Sequence, residues 1–516
     1  MSASREKKQR QGGGPSEKAL QADQKQAEYK RKVRTYTGIG VVVVILVASL
    51  LIWNSGFFQG RAAAATVGGE KLSAAEMSYY YYASRTIYAY MGLDTTVPDD
   101  EQMYNEEEGI TFHDQILADA LEGAQSTQAL YDAALEDGYT QADIQEQLDA
   151  YLDSFKSSAT ASGYSYKSYL VANYGKFMTP GIFEELLAKE LLASQYATDT
   201  RQEYYDSYTM EQLEEFYQEN KDDLDQFEYS YLYFTAGDVD ETDEDGNKLS
   251  EEEIEELEEQ ALADAKAQAE QAQQAYEDGE EIADLIEEME PNGSGDHTVA
   301  DGISSVASAY RDELLELEDG ESVIVENGES GYYMLVSHGR SRSEDLTADV
   351  RHILVRAETT QDEEGATVEP TKPAWTEAES KAEEILAEFE AGEQTAEAFG
   401  ELANQYSDDG GSNTTGGLYE KIARDDSYVE EFLEWIFADG RQAGDTGIVR
   451  HEGDTESTSA YWGYHVMYFQ GWDEAEWVLS AREQKSQEEA TSWQEELLES
   501  GDYETAVLDG AKYLGA

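Results

Sequence analysis

The hexapeptide Val350-Arg-His-Ile-Leu-Val355 has the composition of a buried strand, because β-branched and aliphatic residues surround its single histidine. An acidic loop follows it. Apolar spacing then predicts helices from about Glu377 to Ala391, from Ala396 to Gln405 and from Tyr428 to Phe437. A second strand, Gly463-Tyr-His-Val-Met-Tyr-Phe469, closes the series and again contains one histidine. This order predicts a module of mixed helix and sheet.

The same order of elements occurs once before in the chain. Tyr229-Ser-Tyr-Leu-Tyr-Phe234 reads as a strand, and the capping box Ser250-Glu-Glu-Glu253 opens a long helix to about Tyr276. Two further strands, Ser322–Val325 and Gly331–Val336, surround a turn. The sequence therefore predicts two copies of one α/β unit, with chance similarity as the alternative.

The region before these modules, from Ser73 to Phe227, has the three- and four-residue apolar spacing of several packed helices. Its tyrosine stripe Tyr79-Tyr80-Tyr81-Tyr82 has two interpretations, namely a buried core or a surface that holds apolar peptide segments. From Asp473 onward the pattern is again helical. A mostly helical region therefore precedes the two modules, and a helical segment follows them.

The N-terminal residues predict a membrane anchor. Residues 1–34 contain ten basic and four acidic residues, which gives this tail a charge of +6. The rest of the chain has a charge of −83, so the net charge of the protein is −77. No charged residue occurs between Arg34 and Arg61, which leaves enough apolar chain to cross a bilayer, and the basic residues before it favour a cytoplasmic N-terminus. A cleaved signal peptide is the competing interpretation, with Ala62-Ala63-Ala64-Ala65 as a possible cleavage region. We expect a single-pass membrane protein whose bulk is extracytoplasmic.

Composition excludes several kinds of function. The 516 residues include 112 Asp and Glu against 35 Lys and Arg, so the surface repels nucleic acid. Cysteine is absent, which removes disulfides, thiolate metal sites and cysteine nucleophiles. The six histidines lack the spacing of a helical zinc site, and the acidic turn Glu241–Gly246 fits a solvated hairpin better than a calcium loop. No metal site is predicted.

The motifs of the second module resemble those of the parvulin-type peptidyl-prolyl isomerases. That family has a His-Ile-Leu-Val strand, a Tyr-Ser-x-Asp turn, a Gly-Gly-x-Leu-Gly segment and a final Gly-Tyr-His strand. Here the corresponding residues are His352–Val355, Tyr406–Asp409, Gly416-Gly417-Leu418 and Gly463-Tyr464-His465. The resemblance covers about Asp349 to Gln470 and keeps the motifs in order. It implies prolyl isomerisation, for which no cofactor is required.

The resemblance also implies the site residues. His352, His465 and Asp409 are expected to be the catalytic set, with the two histidines paired and the carboxylate beside the amide. The expected substrate-binding residues around the proline ring are Leu418, Tyr428, Phe432 and Phe437. The sequence departs from the family at Leu418, because the usual Asp and second Gly are missing. The hydroxyl residue that usually precedes the last motif is Thr458 or Ser459.

The first module lacks these residues, since Tyr231 stands at the place of His352 and Tyr333 at that of His465. It is therefore expected to be a degenerate, inactive copy. The opening Ala65-Thr-Val-Gly-Gly-Glu-Lys-Leu-Ser73 resembles that of SurA-like and PrsA-like chaperones, in which a helical chaperone domain precedes the isomerase. In those relatives the substrates are unfolded, newly exported polypeptides.

The predicted fold class is multidomain α+β, with a single transmembrane helix, a helical chaperone domain, two parvulin-like modules and a C-terminal helix. The expected divisions are a cytoplasmic basic tail (1–34), a transmembrane helix (35–58), the helical chaperone domain (65–228), the degenerate module (229–340), the isomerase module (341–475) and a C-terminal helical segment (476–516).

The resulting hypothesis is a membrane-anchored extracytoplasmic isomerase and chaperone that acts on unfolded or newly secreted chains containing X-Pro bonds. Two other functions remain open. One is a non-catalytic holdase or cell-surface peptide-binding adaptor. The other is a structural wall protein that collects divalent cations with its acidic exterior.

Overall fold

The computed structural model describes residues 17–54, 56–237, 239, 242, 248–288, 293–361, 367–453 and 460–515. The first sixteen residues of the basic tail and residues 241 and 243–246 of the acidic turn lie outside this part of the chain. The contacts divide the protein into two units. The first consists of Met1–Tyr204 and Gln487–Ala516, and the second of Tyr205–Ser486.

The elements are given in chain order for the described residues. The α-helices are α1 (Glu17–Asn54), α2 (Ala74–Tyr90), α3 (Phe112–Glu136), α4 (Gln145–Ala161), α5 (Tyr166–Tyr174), α6 (Pro180–Ser207), α7 (Met210–Glu219), α8 (Lys221–Leu224), α9 (Glu251–Glu277), α10 (Ile282–Glu288), α11 (Arg311–Glu316), α12 (Lys372–Ala391), α13 (Ala396–Tyr406), α14 (Glu430–Ile436) and α15 (Glu476–Glu499). The strands are β1 (Ala63–Val67), β2 (Glu70–Ser73), β3 (Met103–Asn105), β4 (Ile110–Thr111), β5 (Gln226–Thr235), β6 (Gly293–Asp301), β7 (Ser322–Glu326), β8 (Gly331–Ser341), β9 (Leu346–Arg356), β10 (Thr360–Gln361), β11 (Thr367–Val368), β12 (Leu418–Ile422), β13 (Thr446–His451), β14 (Gly463–Ala475) and β15 (Thr505–Val507). This mixture of helix and sheet confirms the predicted fold class.

Helix α1 contains the apolar run of the sequence. Its segment Lys30–Ser49 has a mean hydropathy of 1.5, and none of it is buried. By length and composition this segment is suited to cross a membrane, and a signal sequence near the N-terminus meets the same criteria.

The first unit has a helical core. Ser73 caps α2, because its hydroxyl accepts from the Glu76 amide at 3.3 Å while the Glu76 carboxylate accepts from the Ser73 amide at 2.7 Å. Tyr79, Tyr80 and Tyr81 on this helix are buried. The core interpretation of the tyrosine stripe is therefore correct for these three residues, and the surface interpretation is wrong for them.

Strands also occur in regions for which the sequence predicted helices alone. β1 pairs with β2 and with β15, so that Ala65 lies opposite Val507 and Thr66 opposite Ala506. Residues 476–516, predicted as a C-terminal helical segment, contain α15 and also the strand β15, which the sequence did not predict. The reason is non-local, because β15 is stabilised by hydrogen bonds to a strand more than four hundred residues earlier in the sequence.

The second unit contains two four-stranded antiparallel sheets with equivalent topology. Their strand orders are β6-β5-β8-β7 and β12-β9-β14-β13. Gly331 lies opposite Thr235 in the first sheet, as Gly463 lies opposite Arg356 in the second. Counting from these pairs places Tyr231 at the position of His352 and Tyr333 at that of His465. The two predicted copies are present in the sheets.

In the second sheet the two faces are covered by different helices. Ile353, Val355 and Val466 pack against α12 and α13. Val350 and Met467 face the other side and pack with Phe432 and Ile436 of α14. Because successive side chains of a strand alternate between faces, His352 and His465 lie on the α14 face. The sheet therefore places both histidines beside the aromatic residues of α14.

Candidate functional site

The pairing of β9 with β14 brings the two histidines together. His352 lies opposite Met467, and His465 lies opposite Leu354, so the two imidazoles are diagonal neighbours on one face. Their Nδ1 atoms are 3.0 Å apart and both side chains are buried. Two residues separated by 113 positions thus form a direct hydrogen-bonded pair.

The turn Tyr406–Asp409 docks on the part of β9 that β12 leaves unpaired. The Ser407 hydroxyl accepts from the Leu354 amide at 3.1 Å, and the Leu354 carbonyl accepts from the Asp408 amide at 2.8 Å. The Asp408 carboxylate accepts from the Arg356 amide at 3.0 Å. These bonds replace a neighbouring strand and place the Asp409 Oδ2 atom 2.9 Å from His352 Nε2.

Gly417 allows the backbone before β12 to approach His352 closely. Its carbonyl accepts from the His352 amide at 2.8 Å, and its φ angle is +67°. A Cβ atom at this position would lie 2.2 Å from the His352 carbonyl oxygen. The Gly-Gly motif therefore has a structural cause, since only glycine adopts this conformation without a clash.

Asp409 is held as an anion. Besides His352, its Oδ2 atom accepts hydrogen bonds from the hydroxyls of Ser412 and Tyr419, the latter at 3.0 Å. Its Oδ1 atom accepts from the Gly411 amide at 3.2 Å. The hydrogen bond from His352 is the main cause that lowers the pKa of Asp409 below its usual range, and Ser412 lowers it further. The carboxylate is therefore negatively charged near neutral pH.

The charge of Asp409 assigns the direction of a row of hydrogen bonds. Because an ionised carboxylate only accepts, His352 Nε2 carries the proton in its bond to Asp409. When each imidazole carries one proton, His465 Nδ1 then donates to His352 Nδ1. Burial is the main cause that lowers the pKa of His465 to about 3, and the nearby His352 adds to it. His465 Nε2 is then an acceptor, and the Tyr461 hydroxyl donates to it at 3.2 Å.

Aromatic rings cover the histidine pair. The ring of Phe432 lies edge-on to both imidazoles, with centroid distances of 5.5 Å to His352 and 5.4 Å to His465. Tyr428 precedes α14, stacks on Phe432 at 5.5 Å and is 37% exposed. Phe437 is buried in the same core, in contact with Trp472 at 5.8 Å. Tyr428 therefore lies between solvent and Phe432. Phe437 belongs to the core against which Phe432 packs.

The position of Leu418 differs from the expectation. Leu418 lies opposite Arg351, whereas Tyr419 lies opposite Val350. Because opposed residues share a face of the sheet, Tyr419 rather than Leu418 is on the histidine side. The Tyr419 ring is 5.2 Å from that of His352 and 5.5 Å from that of Tyr428. Tyr419 stands two residues after Gly417, the place of the leucine in the Gly-Gly-x-Leu-Gly motif, and it replaces Leu418 as the residue proposed for the pocket.

Three polar residues of the site were missed by the sequence analysis, namely Ser412, Tyr419 and Tyr461. The sequence signal for Tyr419 was its place two residues after Gly417, where the motif Gly-Gly-x-Leu-Gly has its leucine. Tyr461 supplies the hydroxyl that was sought at Thr458 and Ser459, and those two residues lie outside the described part of the chain. Tyr461 is closer to His465 in sequence than Thr458 and Ser459 are. Its hydroxyl reaches the imidazole because it is at the far end of the aromatic ring.

The comparisons with known proteins agree with this geometry in one region. The family model "PPIC-type PPIASE domain" matches residues 332–453, a range that contains His352 and Asp409 and ends before His465. No curated protein matches the sequence significantly.

Solved structures of PrsA proteins also show similarity to the chain. PrsA from Bacillus subtilis is 14% identical with a TM-score of 0.30, and the match covers 81% of this chain and 99% of that protein. The peptidylprolyl isomerase PrsA from Bacillus anthracis is 21% identical with a TM-score of 0.18, and the match covers 31% of this chain and 59% of that protein. The chain thus spans about three fifths of the Bacillus anthracis protein. The family match at residues 332–453 identifies a parvulin-type, PPIC-type peptidyl-prolyl cis-trans isomerase domain in this chain.

Proposed function

We propose that this protein is a membrane-anchored extracytoplasmic peptidyl-prolyl isomerase and chaperone, which assists the folding of exported polypeptides that contain X-Pro bonds. The observation that carries the proposal is the hydrogen-bonded row Tyr461–His465–His352–Asp409 beside Phe432. This row lies in the module that contains most of the match to the PPIC-type isomerase domain. The catalytic roles of His352, His465 and Asp409 are part of this proposal.

The chemistry requires only that the site favour a twisted amide over a planar one. In the planar amide, resonance places negative charge on the carbonyl oxygen, and this resonance creates the barrier of about 18–20 kcal/mol. An anionic Asp409 near that oxygen destabilises the planar form more than the twisted one. Tyr428, which is 37% exposed, offers apolar surface for the pyrrolidine ring, and Phe432, only 2% exposed, packs behind it. Differential binding of this kind lowers the barrier without a covalent step or a cofactor.

The proposed location rests on the N-terminal helix and the charge distribution. The segment Lys30–Ser49 is suited to cross a bilayer, and the charge of +6 in residues 1–34 favours a cytoplasmic N-terminus. The remaining −83 then belongs to the extracytoplasmic part. Newly exported chains are the substrates that such a location supplies.

A prolyl-peptide assay with the full chain in detergent tests the enzymatic part. Uncatalysed isomerisation takes tens of seconds, so we expect the wild-type protein to shorten this phase in a concentration-dependent manner. A reaction without protein gives the background. A folded protein that leaves the rate at this background contradicts the proposed activity.

One observation favours the alternative of a non-catalytic holdase. Asp409 accepts four hydrogen bonds from the protein, including the one from Tyr419, which leaves little of the carboxylate free to act on a substrate. A holdase would bind denatured polypeptide and still fail in the assay above. The rate of prolyl-peptide isomerisation therefore distinguishes the two functions.

Removal of the Tyr461 hydroxyl should lower activity modestly. In Tyr461→Phe, His465 Nε2 loses its donor, and the loss of one hydrogen bond of about 1 kcal/mol predicts a roughly fivefold lower kcat/KM. Nitrogen chemical shifts of His465 should still report the proton on Nδ1, because His352 Nδ1 remains its acceptor, while the Nε2 shift should report the loss of its donor. The matched control is Tyr464→Phe, because the Tyr464 ring packs on Trp375 on the other face of the sheet. Equal effects of the two substitutions would contradict the assigned role of Tyr461.

A further inference from the structure

Five large apolar side chains of the first unit are exposed at the C-terminal end of α2 and on β3. Tyr90 is 88% exposed and Met91 is 68% exposed. The other three, with exposed fractions between 43% and 62%, are Ile87, Met103 and Tyr104. We call these five residues the α2–β3 patch. Large exposed apolar surface is uncommon on soluble domains and marks interaction sites.

The α2 part of the patch is continuous by helix geometry. Ile87, Tyr90 and Met91 have the i, i+3, i+4 spacing that places side chains on one helix face. The next residue inward, Tyr88, is buried, and its ring contacts that of Tyr104 at 5.7 Å. Phe112 touches both rings, at 5.8 Å and 5.6 Å. This ring cluster joins β3 to the end of α2.

Hydrogen bonds fix the strand in this place. The Gln102 side-chain amide donates to the carbonyls of Asp94 and Val97 at 2.9 Å and 3.1 Å, and its oxygen accepts from the Asp94 amide at 3.1 Å. The residue directly before β3 is thereby tied to the segment directly after α2. The patch is thus a preformed surface, so a bound segment would not have to order it.

The surroundings of the patch are acidic. Its exposed carboxylates are Asp94, Asp100, Glu101, Glu106, Glu107 and Glu108. Arg85 does not offset them, because it forms an ion pair with the buried Asp99 at 2.8 Å. No Lys or Arg occurs in residues 86–155. The potential around the apolar centre is therefore negative.

We propose that the α2–β3 patch binds unfolded polypeptide segments in which aliphatic or aromatic residues are flanked by Lys or Arg. The apolar side chains of the segment cover Tyr90, Met91 and Ile87, and its cations face the carboxylates. The sign of the charge argues against other occupants. An anionic lipid surface would be repelled, and a second copy of the chain would bring two acidic surroundings together. The inference rests on the proposed chaperone function and gives it a substrate class.

Binding of a fluorescent, proline-free peptide of leucine, phenylalanine and lysine to the full chain in detergent tests this. We expect saturable binding that weakens with added salt, and about tenfold weaker binding by Tyr90→Ser/Met91→Ser, because both side chains are central to the patch. The matched control Tyr164→Ser, at another exposed tyrosine of the same unit, should bind like wild type. The same peptide with glutamate in place of lysine should bind at least tenfold more weakly.

Two results would overturn the inference. One is equal affinity of wild type and the double variant for the lysine peptide. The other is equal affinity for the lysine and glutamate peptides. Because the probe contains no proline, its binding does not depend on the isomerase site. Loss of prolyl-isomerase activity with peptide binding intact would therefore reject only the proposed enzyme function.

Discussion

Isomerase activity should fall about 100-fold when Asp409 is replaced by asparagine. The amide oxygen of the introduced side chain can occupy the place of Oδ2 and accept the bonds from His352, Ser412 and Tyr419. The introduced NH2 group takes the place of Oδ1, so the bond from the Gly411 amide is lost, while the other three bonds are kept and the negative charge is removed. Removal of one electrostatic group directed at the reacting atoms typically costs about 10²–10³-fold in rate. The measurement is kcat/KM for a prolyl peptide, at a pH near neutrality.

Asp408→Asn is the matched control for this substitution. Asp408 is the adjacent residue in the same turn, and its carboxylate accepts from the Arg356 amide without contacting His352. An asparagine retains that acceptor. Asp408→Asn should therefore keep most of the activity. A similar loss in both variants would mean that the turn as a whole, rather than the charge beside His352, determines the rate.

The second large effect is expected for Gly417→Ala. An alanine would adopt a left-handed conformation at φ +67°, and its Cβ atom would meet the His352 carbonyl oxygen at 2.2 Å. Left-handed backbone costs about 1–2 kcal/mol and overpacking about 1–3 kcal/mol, so we expect a loss of roughly 2–5 kcal/mol in the free energy of unfolding. Four of the seven tryptophans, from Trp375 to Trp472, lie in this module, so the fluorescence-detected urea transition reports mainly on it.

Gly410→Ala serves as its control. Gly410 is in the same loop, and a Cβ atom there would have no neighbour within 4 Å. Its midpoint of unfolding should match that of wild type. If Gly417→Ala unfolds at the wild-type midpoint as well, the close approach of this loop to His352 is not required for stability.

Much of the fold was predictable because it depends on local patterns. The strands around His352 and His465 and the helices between them follow from apolar spacing and caps, and the observed elements overlap those predicted. The correspondence of Tyr231 with His352 was also found from the sequence. The two modules have the same order of elements, so equivalent residues lie at the same place in equivalent strands. β15 was missed, since Thr505–Val507 becomes a strand only by pairing with β1.

The site shows the same division. The sequence by itself determined which residue types are present and that two histidines lie on strands of one module. It also determined that the turn Tyr406–Asp409 lies between these strands in the chain. Only the tertiary structure decided that Tyr419 donates to Asp409 beside the histidines, and that Tyr461 completes the hydrogen-bonded row. The physical reason is that a strand's register is fixed by pairing with distant segments. This register decides which side chains share a face, and a shift of one residue reverses the faces.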